Sequence, residues 1–317
     1  MSDISISSDG RDAPSAFHEK VAAAESGGAL TFWIANHLFL RDPVTLAALM
    51  LSNTTRMGAA LMAVSPLTQH PVQIAMAAAT LAESFPGRVT LCIGAGAPAD
   101  LKALGLDGTK PLKAMREALQ VIRALLAGDT VRFQGETVSV DSRRLITDIT
   151  PIPLVLAASG PQMLELAGAE ADGVLISAGS SVQFVERTLD SVHRGAKGRK
   201  VRTHALVYSA VDNTEKAAND RLRRTLAILL RGPHHKANLD AAGSVLDQAA
   251  LNEAVLAEDW ERAQSMITDD IVGRHAASGS PDQVRRRFAA YHAAGLDEII
   301  IAGARDGDQI TKILHSA

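Results

Sequence analysis

Cysteine occurs once in the 317 residues, at Cys92, which excludes a disulfide framework and any thiolate metal cluster. Aromatic side chains make up 3% of the chain, too few for the stacking platforms of single-strand nucleic-acid binders. Neither charge sign is in excess. The 32 Lys and Arg against 35 Asp and Glu give −3, so the basic footprint of a nucleic-acid partner is missing. No uncharged apolar run approaches a membrane span, and Met1 to Asp12 is polar and acidic with no apolar signal core. A cytoplasmic protein without membrane or nucleic-acid partners is expected. What is present is a hydrophobic fraction of 47% with 21% charged residues, enough to fill a large core and too apolar for disorder. The whole chain, 1–317, reads as one domain of barrel size.

Short apolar runs alternate with amphipathic stretches. Ile4–Ile6, Leu30–Ala35, Met57–Val64, Val89–Ile93, Pro153–Ala158, Val174–Ile176, Thr203–Val211 and Leu296–Ala302 read as eight strands, most of them apolar on both faces. Helical stretches separate them. Asp42-Pro43 and His70-Pro71 open two, because proline at the first helical position forfeits no hydrogen bond. Leu112, Met115, Leu119, Ile122 and Leu126 recur at helical spacing, and Val131 to Val140 reads as a small hairpin around Gly135. This is the order of a (β/α)8 TIM barrel of the α/β class. About 85 residues lie between the last two strands, more than one crossover needs, so a helical insertion is expected around 212–280.

In such barrels the working face lies at the strand C-termini. Here those ends read Asn36-His37, Met62-Ala63-Val64-Ser65-Pro66, Gly94-Ala95-Gly96-Ala97-Pro98, Ala158-Ser159-Gly160-Pro161 and Ser177-Ala178-Gly179-Ser180. Small residues let the backbone approach a flat ring or a phosphate, whereas metal chemistry would need clustered ligands. The face suits a large cofactor, and no metal site is expected. Gly94-x-Gly96 with Ala99 forms a G-x-G-x-x-A pattern. A Rossmann reading is opposed by the strand–helix units before it, by Pro98 inside it, and by a next clear helix that starts only near Leu112.

Three blocks carry a family likeness: Thr68-Gln69-His70-Pro71 with its alanine-rich helix, Phe85-Pro86-Gly87-Arg88-Val89-Thr90-Leu91 with Gly94-Ala95-Gly96, and Ala157-Ala158-Ser159-Gly160-Pro161-Gln162-Met163 followed by Leu166-Ala167-Gly168 and Ala171-Asp172-Gly173. Over roughly 30–192 the chain resembles the luciferase-like flavin- and deazaflavin-dependent oxidoreductases, in particular the branch of the methylenetetrahydromethanopterin reductases. The resemblance implies a barrel that holds FMN or the deazaflavin coenzyme F420. It also implies a non-prolyl cis peptide at Met62-Ala63, a bond that costs about 3 kcal/mol.

On that likeness His37 is the candidate catalytic side chain, since imidazole titrates near neutrality; the bland alternative is a histidine packed at the rim. Asn36, Met62, Ala63, Ala95 and Gly96 are expected around the ring, with Asp100 at a polar cofactor-contacting position. Ser159, Gly160, Ser177 and Ser180 are expected around a phosphate, because free amides at a helix N-terminus favour an anion; simple capping by Ser159 is the alternative. Ala97 stands where sugar-phosphate dehydrogenases of the superfamily place a carboxylate, which speaks against that activity. Asp172-Gly173 is expected as a structural turn, Cys92 as a core residue, and Arg285-Arg286-Arg287 as a solvated face. Arg231-Gly232-Pro233-His234-His235 could face an anionic substrate, or be a solvated loop or subunit contact.

The leading expectation is an FMN-dependent monooxygenase acting on a small organic substrate, with a separate flavin reductase as possible partner. The alternatives are a deazaflavin-dependent reductase that works without oxygen, and a flavin-binding protein without catalysis. A homodimer is expected by analogy with the family.

Overall fold

The computed structural model describes residues 3–176 and 178–317. Its strands are β1 (Asp3–Ser8), β2 (Thr31–Ala35), β3 (Gly58–Val64), β4 (Val89–Ile93), β5 (Arg132–Gln134), β6 (Ser139–Asp141), β7 (Leu154–Ala158), β8 (Gly173–Ile176), β9 (Arg202–Val211), β10 (Ala276–Gly279) and β11 (Glu298–Ala302). All pairings in the main sheet are parallel, in the order β11-β1-β2-β3-β4-β7-β8, and β9 bridges β8 and β11 to close the ring. This is the (β/α)8 barrel. The expected hairpin is β5–β6, antiparallel and outside the ring.

The strands are apolar on both faces because both faces are covered. Along β3, Ala60 and Met62 point into the barrel with Trp33, Cys92, Val155, Leu175 and Ile300. Ala59 and Leu61 pack outward against the helices. The N-terminal end of the barrel is plugged by the buried Glu298, whose carboxylate accepts from Ser5 Oγ at 2.6 Å and Trp33 Nε1 at 2.9 Å, with His204 Nδ1 at 3.2 Å. Burial pushes this carboxyl up, but the bonds from His204, Ser5 and Trp33 outweigh it and hold the group below the usual range. The opposite end is left open.

Two expectations about the backbone change. Among the described residues every peptide bond is trans, Met62-Ala63 included. The strand departs from regularity there by a register shift against β4 between Leu61 and Val64, which bends the chain without the cis bond. The insertion is also not all helical: after four helices at 236–275, residues 276–279 form β10, paired with the C-terminal half of β9. Tyr208 pairs with Ala302 of β11 on one side and with Ala276 on the other, so β10 occupies the edge of β9 that β8 leaves free beyond Ala205. The insertion has an apolar core of its own around Leu222, Leu226, Leu251 and Ile271.

Candidate active site

At the C-terminal end of the barrel lies an open cavity of about 850 Å³. Its lining falls into two parts. The ends of β2, β3, β4 and β7 supply Asn36, His37, Met62, Ala63, Gly94–Ala97 and Ala157–Ser159. Apart from His37, these side chains are small or uncharged; Asp100, in the short helix that follows β4, is the one carboxylate among the described lining residues of this side. The ends of β1, β9 and β11 supply Ser8, Asp9, Arg11, Asp12, Tyr208 and Arg305, with Lys20 behind them.

The first part is shaped by glycine and by one serine. A Cβ on Gly94 would lie 3.0 Å from Ala63 Cβ and 3.2 Å from Ala157 Cβ, so only glycine leaves β3, β4 and β7 this close. Gly96 has φ +81, and its missing Cβ would touch Ser65 Oγ. The buried Ser65 donates to the Ala95 carbonyl at 3.1 Å and accepts from Leu67 N at 3.2 Å, fixing the loop after β4. The Asn36 amide donates to the Met62 carbonyl, tying the end of β2 to the bend in β3. His37 is exposed at the rim. After Ala97 a short helix, Pro98–Ala103, begins at once with proline at its first position and Asp100 in its first turn. The break expected at Pro98 is therefore a helix start. The Rossmann reading fails instead because β4 belongs to a closed ring.

Ser159 lines the cavity but does not cap the helix Pro161–Glu170, which starts at Gly160 without any side-chain bond to its amides. Gly160 is exposed and lies outside the lining. Ser180 is buried behind the loop after β8, its carbonyl accepting from Tyr291 Oη at 2.7 Å. Ser177 lies outside the described residues. That loop is held from the insertion. Asn238 Nδ2 donates to the Gly179 carbonyl at 2.8 Å, Asn238 Oδ1 accepts from Ser181 N at 2.9 Å, and His275 Nδ1 stands 3.1 Å from the same carbonyl. Burial depresses His275 to about 4, helped by the cations Arg287 and Arg274 against the opposing bond to Gly179, so the ring is neutral near pH 7. Nδ1 then carries the proton towards Gly179, and Nε2 accepts from Ser244 Oγ at 2.8 Å.

The charged part was not foreseen. Lys20 Nζ donates to both Asp12 oxygens at 2.9 Å, and Ser8 Oγ donates to Asp12 at 3.1 Å. The Lys20 side chain is 8% exposed. A signal was available: Phe17, Lys20, Val21 and Ala24 form the buried stripe of their helix, and a lysine at an inward position needs a partner. Arg11 pairs with Asp9 at 3.0 Å. Arg305 donates to the Arg221 carbonyl and forms no ion pair among the described residues.

The remaining candidates serve the fold. Cys92 is buried in the barrel, and burial pushes its thiol up. Asp172 accepts from Leu154 N at 2.9 Å at the closed end of the barrel. Arg231 and His234-His235 do not line the cavity; Arg231 donates to Asn252, and His235 is buried. The arginine run is not uniformly solvated, for Arg287 is half-buried over the Tyr291 ring. Among the described residues no group of three or more His, Cys, Asp or Glu could hold a metal ion, and no helix is long and apolar enough to cross a membrane.

The family model of the luciferase-like monooxygenases matches residues 3–298. The chain belongs to the luciferase-like oxidoreductase family. It is 31% identical over 306 residues to the 5,10-methylenetetrahydromethanopterin reductase of Archaeoglobus fulgidus, covering 93% of this chain and 91% of that one. To the F420-dependent glucose-6-phosphate dehydrogenase of Beutenbergia cavernae it is 30% identical over 253 residues, 75% of this chain and 70% of that one. The F420-dependent tetrahydromethanopterin reductase of Methanopyrus kandleri has the same fold at a TM-score of 0.91 and 23% identity, covering 100% and 98% of the two chains. The FMN-bound oxygenating constituent of 3,6-diketocamphane monooxygenase from Pseudomonas putida shares the fold at 0.76 and 18%, covering 99% and 97%.

Proposed function

We propose that this protein is a reductase or dehydrogenase that uses the deazaflavin coenzyme F420 and works without oxygen. The observation that carries the reading is the likeness to a methylenetetrahydromethanopterin reductase along nine-tenths of both chains and to an F420-dependent dehydrogenase along at least seven-tenths, set against a likeness in fold alone to the FMN monooxygenase. The monooxygenase that the sequence put first gives way on this ground, and with it the need for a flavin reductase.

The cavity fits such a group. The wall of Ala63, Gly94, Ala95 and Gly96 offers a flat surface free of large side chains. After Ser159, the amides of Gln162 and Met163 at the start of the helix carry no side-chain cap and offer donors to an anionic tail. When bound, a deazaflavin supplies hydride transfer at a ring carbon. Of the cavity-lining residues, we assign Asn36 to the ring's polar edge and His37 to proton handling at the rim. Ala97 offers no carboxylate, which argues against sugar-phosphate oxidation.

The test is a titration of the purified protein with F420 and with FMN, followed by anaerobic turnover with methylenetetrahydromethanopterin as the first acceptor tried. F420 binding in about the micromolar range, weaker FMN binding and turnover without oxygen uptake are expected. FMN preference with oxygen uptake would establish the monooxygenase instead. Tight binding without oxidation of any donor would leave a carrier protein.

A further inference from the structure

The chain has two tyrosines, and the structure uses them differently. Tyr291 is fully buried and spends its hydroxyl on the Ser180 carbonyl at 2.7 Å. Tyr208 lines the cavity, and its hydroxyl makes no hydrogen bond to any described residue. Its seat is built. Tyr208 and Leu206 lie two apart on β9, both on the face that points into the barrel mouth. Opposite the ring stands Gly303, with φ +84, where a Cβ would come within 2.9 Å of Tyr208 Cδ1. A left-handed glycine thus leaves room for this ring where any side chain would collide.

The topology places β9 four strands from β3 in either direction round the ring of eight. Tyr208 therefore rises directly across the mouth from Met62 and Ala63, the wall assigned above to the cofactor ring, and faces whatever lies on the ring's open side. The neighbouring charges select what that can be. Arg11 is paired with Asp9, and Lys20 with Asp12. Burial, and then the charge of Asp9, push the Tyr208 hydroxyl up to about 12, so it keeps its proton. The burial that disfavours a tyrosinate also disfavours an anion beside that hydroxyl, and Arg305, the cation of this wall with no ion pair among the described residues, is exposed to solvent.

We propose that Tyr208 is a substrate-binding residue whose hydroxyl donates a hydrogen bond to an uncharged acceptor, a carbonyl-type oxygen, on the substrate. The proposal rests on the cofactor lying against β3 and β4, as argued under Proposed function. A half-buried donor with no protein partner among the described residues discriminates between substrates, because one without the matching acceptor displaces its water and leaves it unsatisfied.

The experiment uses protein grown with 3-fluorotyrosine, which has two fluorine resonances, one assigned by Tyr208→Phe. Acetone, which offers a carbonyl oxygen and no donor, is titrated in, with acetate as the anionic control. Expected is a saturable shift of the Tyr208 resonance with acetone, none with acetate, and a stationary Tyr291 resonance. A Tyr208 resonance that stays put with acetone, drifts together with Tyr291, or saturates with acetate alone overturns the proposal. Tyr208→Phe is expected to bind F420 within twofold of the parent chain; a tenfold loss would place the hydroxyl on the cofactor and overturn it too. A parent chain that ignores F420 but shows the saturable acetone shift would refute the cofactor reading and leave Tyr208 as assigned.

Discussion

The two sides of the barrel mouth are built on opposite physical terms. The side of β2, β3, β4 and β7 is made by leaving atoms out: Gly94 and Gly96 where a Cβ has no room, alanines at 63, 95, 97, 157 and 158, and backbone bonds such as that from Asn36 to Met62. The side of β1, β9 and β11 is made by charges cancelled in place, Lys20 by Asp12 and Arg11 by Asp9. A flat aromatic ring is held by close approach and dispersion, which the first side permits. A substrate is chosen by directed polar groups, which the second side supplies. On the reading proposed above, one cavity divides cofactor from substrate by composition alone, and that division can be broken from either side.

Two changes test the division most strongly. Gly94→Val forces a branched side chain between Ala63 and Ala157. Overpacking of this kind costs about 3 kcal/mol, and the wall it pushes forward is expected to cut cofactor affinity at least about a hundredfold, or roughly 3 kcal/mol of binding. Urea unfolding and a cofactor titration read the two effects. On the other side, Asp12→Ala strands the Lys20 ammonium, costing about 3 kcal/mol of stability, while cofactor affinity stays within twofold. The double change Asp12→Ala with Lys20→Met recovers most of the loss, because no charge is left buried. If cofactor binding falls in step with stability, the two sides are not independent and the division is wrong.

Acid reaches a third wall, the loop after β8. His275 titrates at about 4 in the fold against about 6.5 unfolded. As pH falls, the unfolded chain takes up this proton first. The histidine's contribution is therefore complete above about pH 6.5 and is lost progressively towards pH 4. Between pH 7 and pH 5 this one group accounts for about 2 kcal/mol. In His275→Asn, which keeps a donor for the Gly179 carbonyl but cannot titrate, that part of the pH slope should vanish. An unchanged slope in denaturant unfolding from pH 7 to 5 would remove His275 from the account.

The barrel was legible in sequence because its strands are buried on both faces and so read as unbroken apolar runs, Ile299 to Ile301 being the clearest. β10 was not, since Ala276-Ala277-Ser278-Gly279 is short and half polar; it is a strand because the C-terminal half of β9 has a free edge. The small-residue loops could be placed at the mouth from order alone, and Asn36, His37, Met62, Ala63, Ala95, Gly96, Asp100 and Ser159 do line one cavity. Gly160 and Ser180 do not, because sequence order marks which loop follows a strand and not which face of that loop turns inward. Ser7 to Asp12 escaped notice for a related reason. Charged residues in a loop read as solvated unless something marks their partner as buried, and the mark here was Lys20, eight residues on from Asp12.

The gentlest change probes the neutral side without adding bulk. Ser65→Ala deletes one hydroxyl, and with it the bond to the Ala95 carbonyl and the support of Leu67 N. Ala95 lies at the edge of an open cavity and Leu67 is only half-buried, so water can replace much of what is lost, and a cost of about 1 kcal/mol is expected. The loss should appear mainly in the loop after β4. Hydrogen exchange at 94–97 is expected to quicken about fivefold, and cofactor affinity to weaken two- to fivefold, while the global unfolding midpoint barely moves. Should exchange in that loop stay as slow as in the parent chain, the loop is held by Gly96 and the strands alone, and the neutral wall owes its shape to backbone packing with no help from a polar side chain.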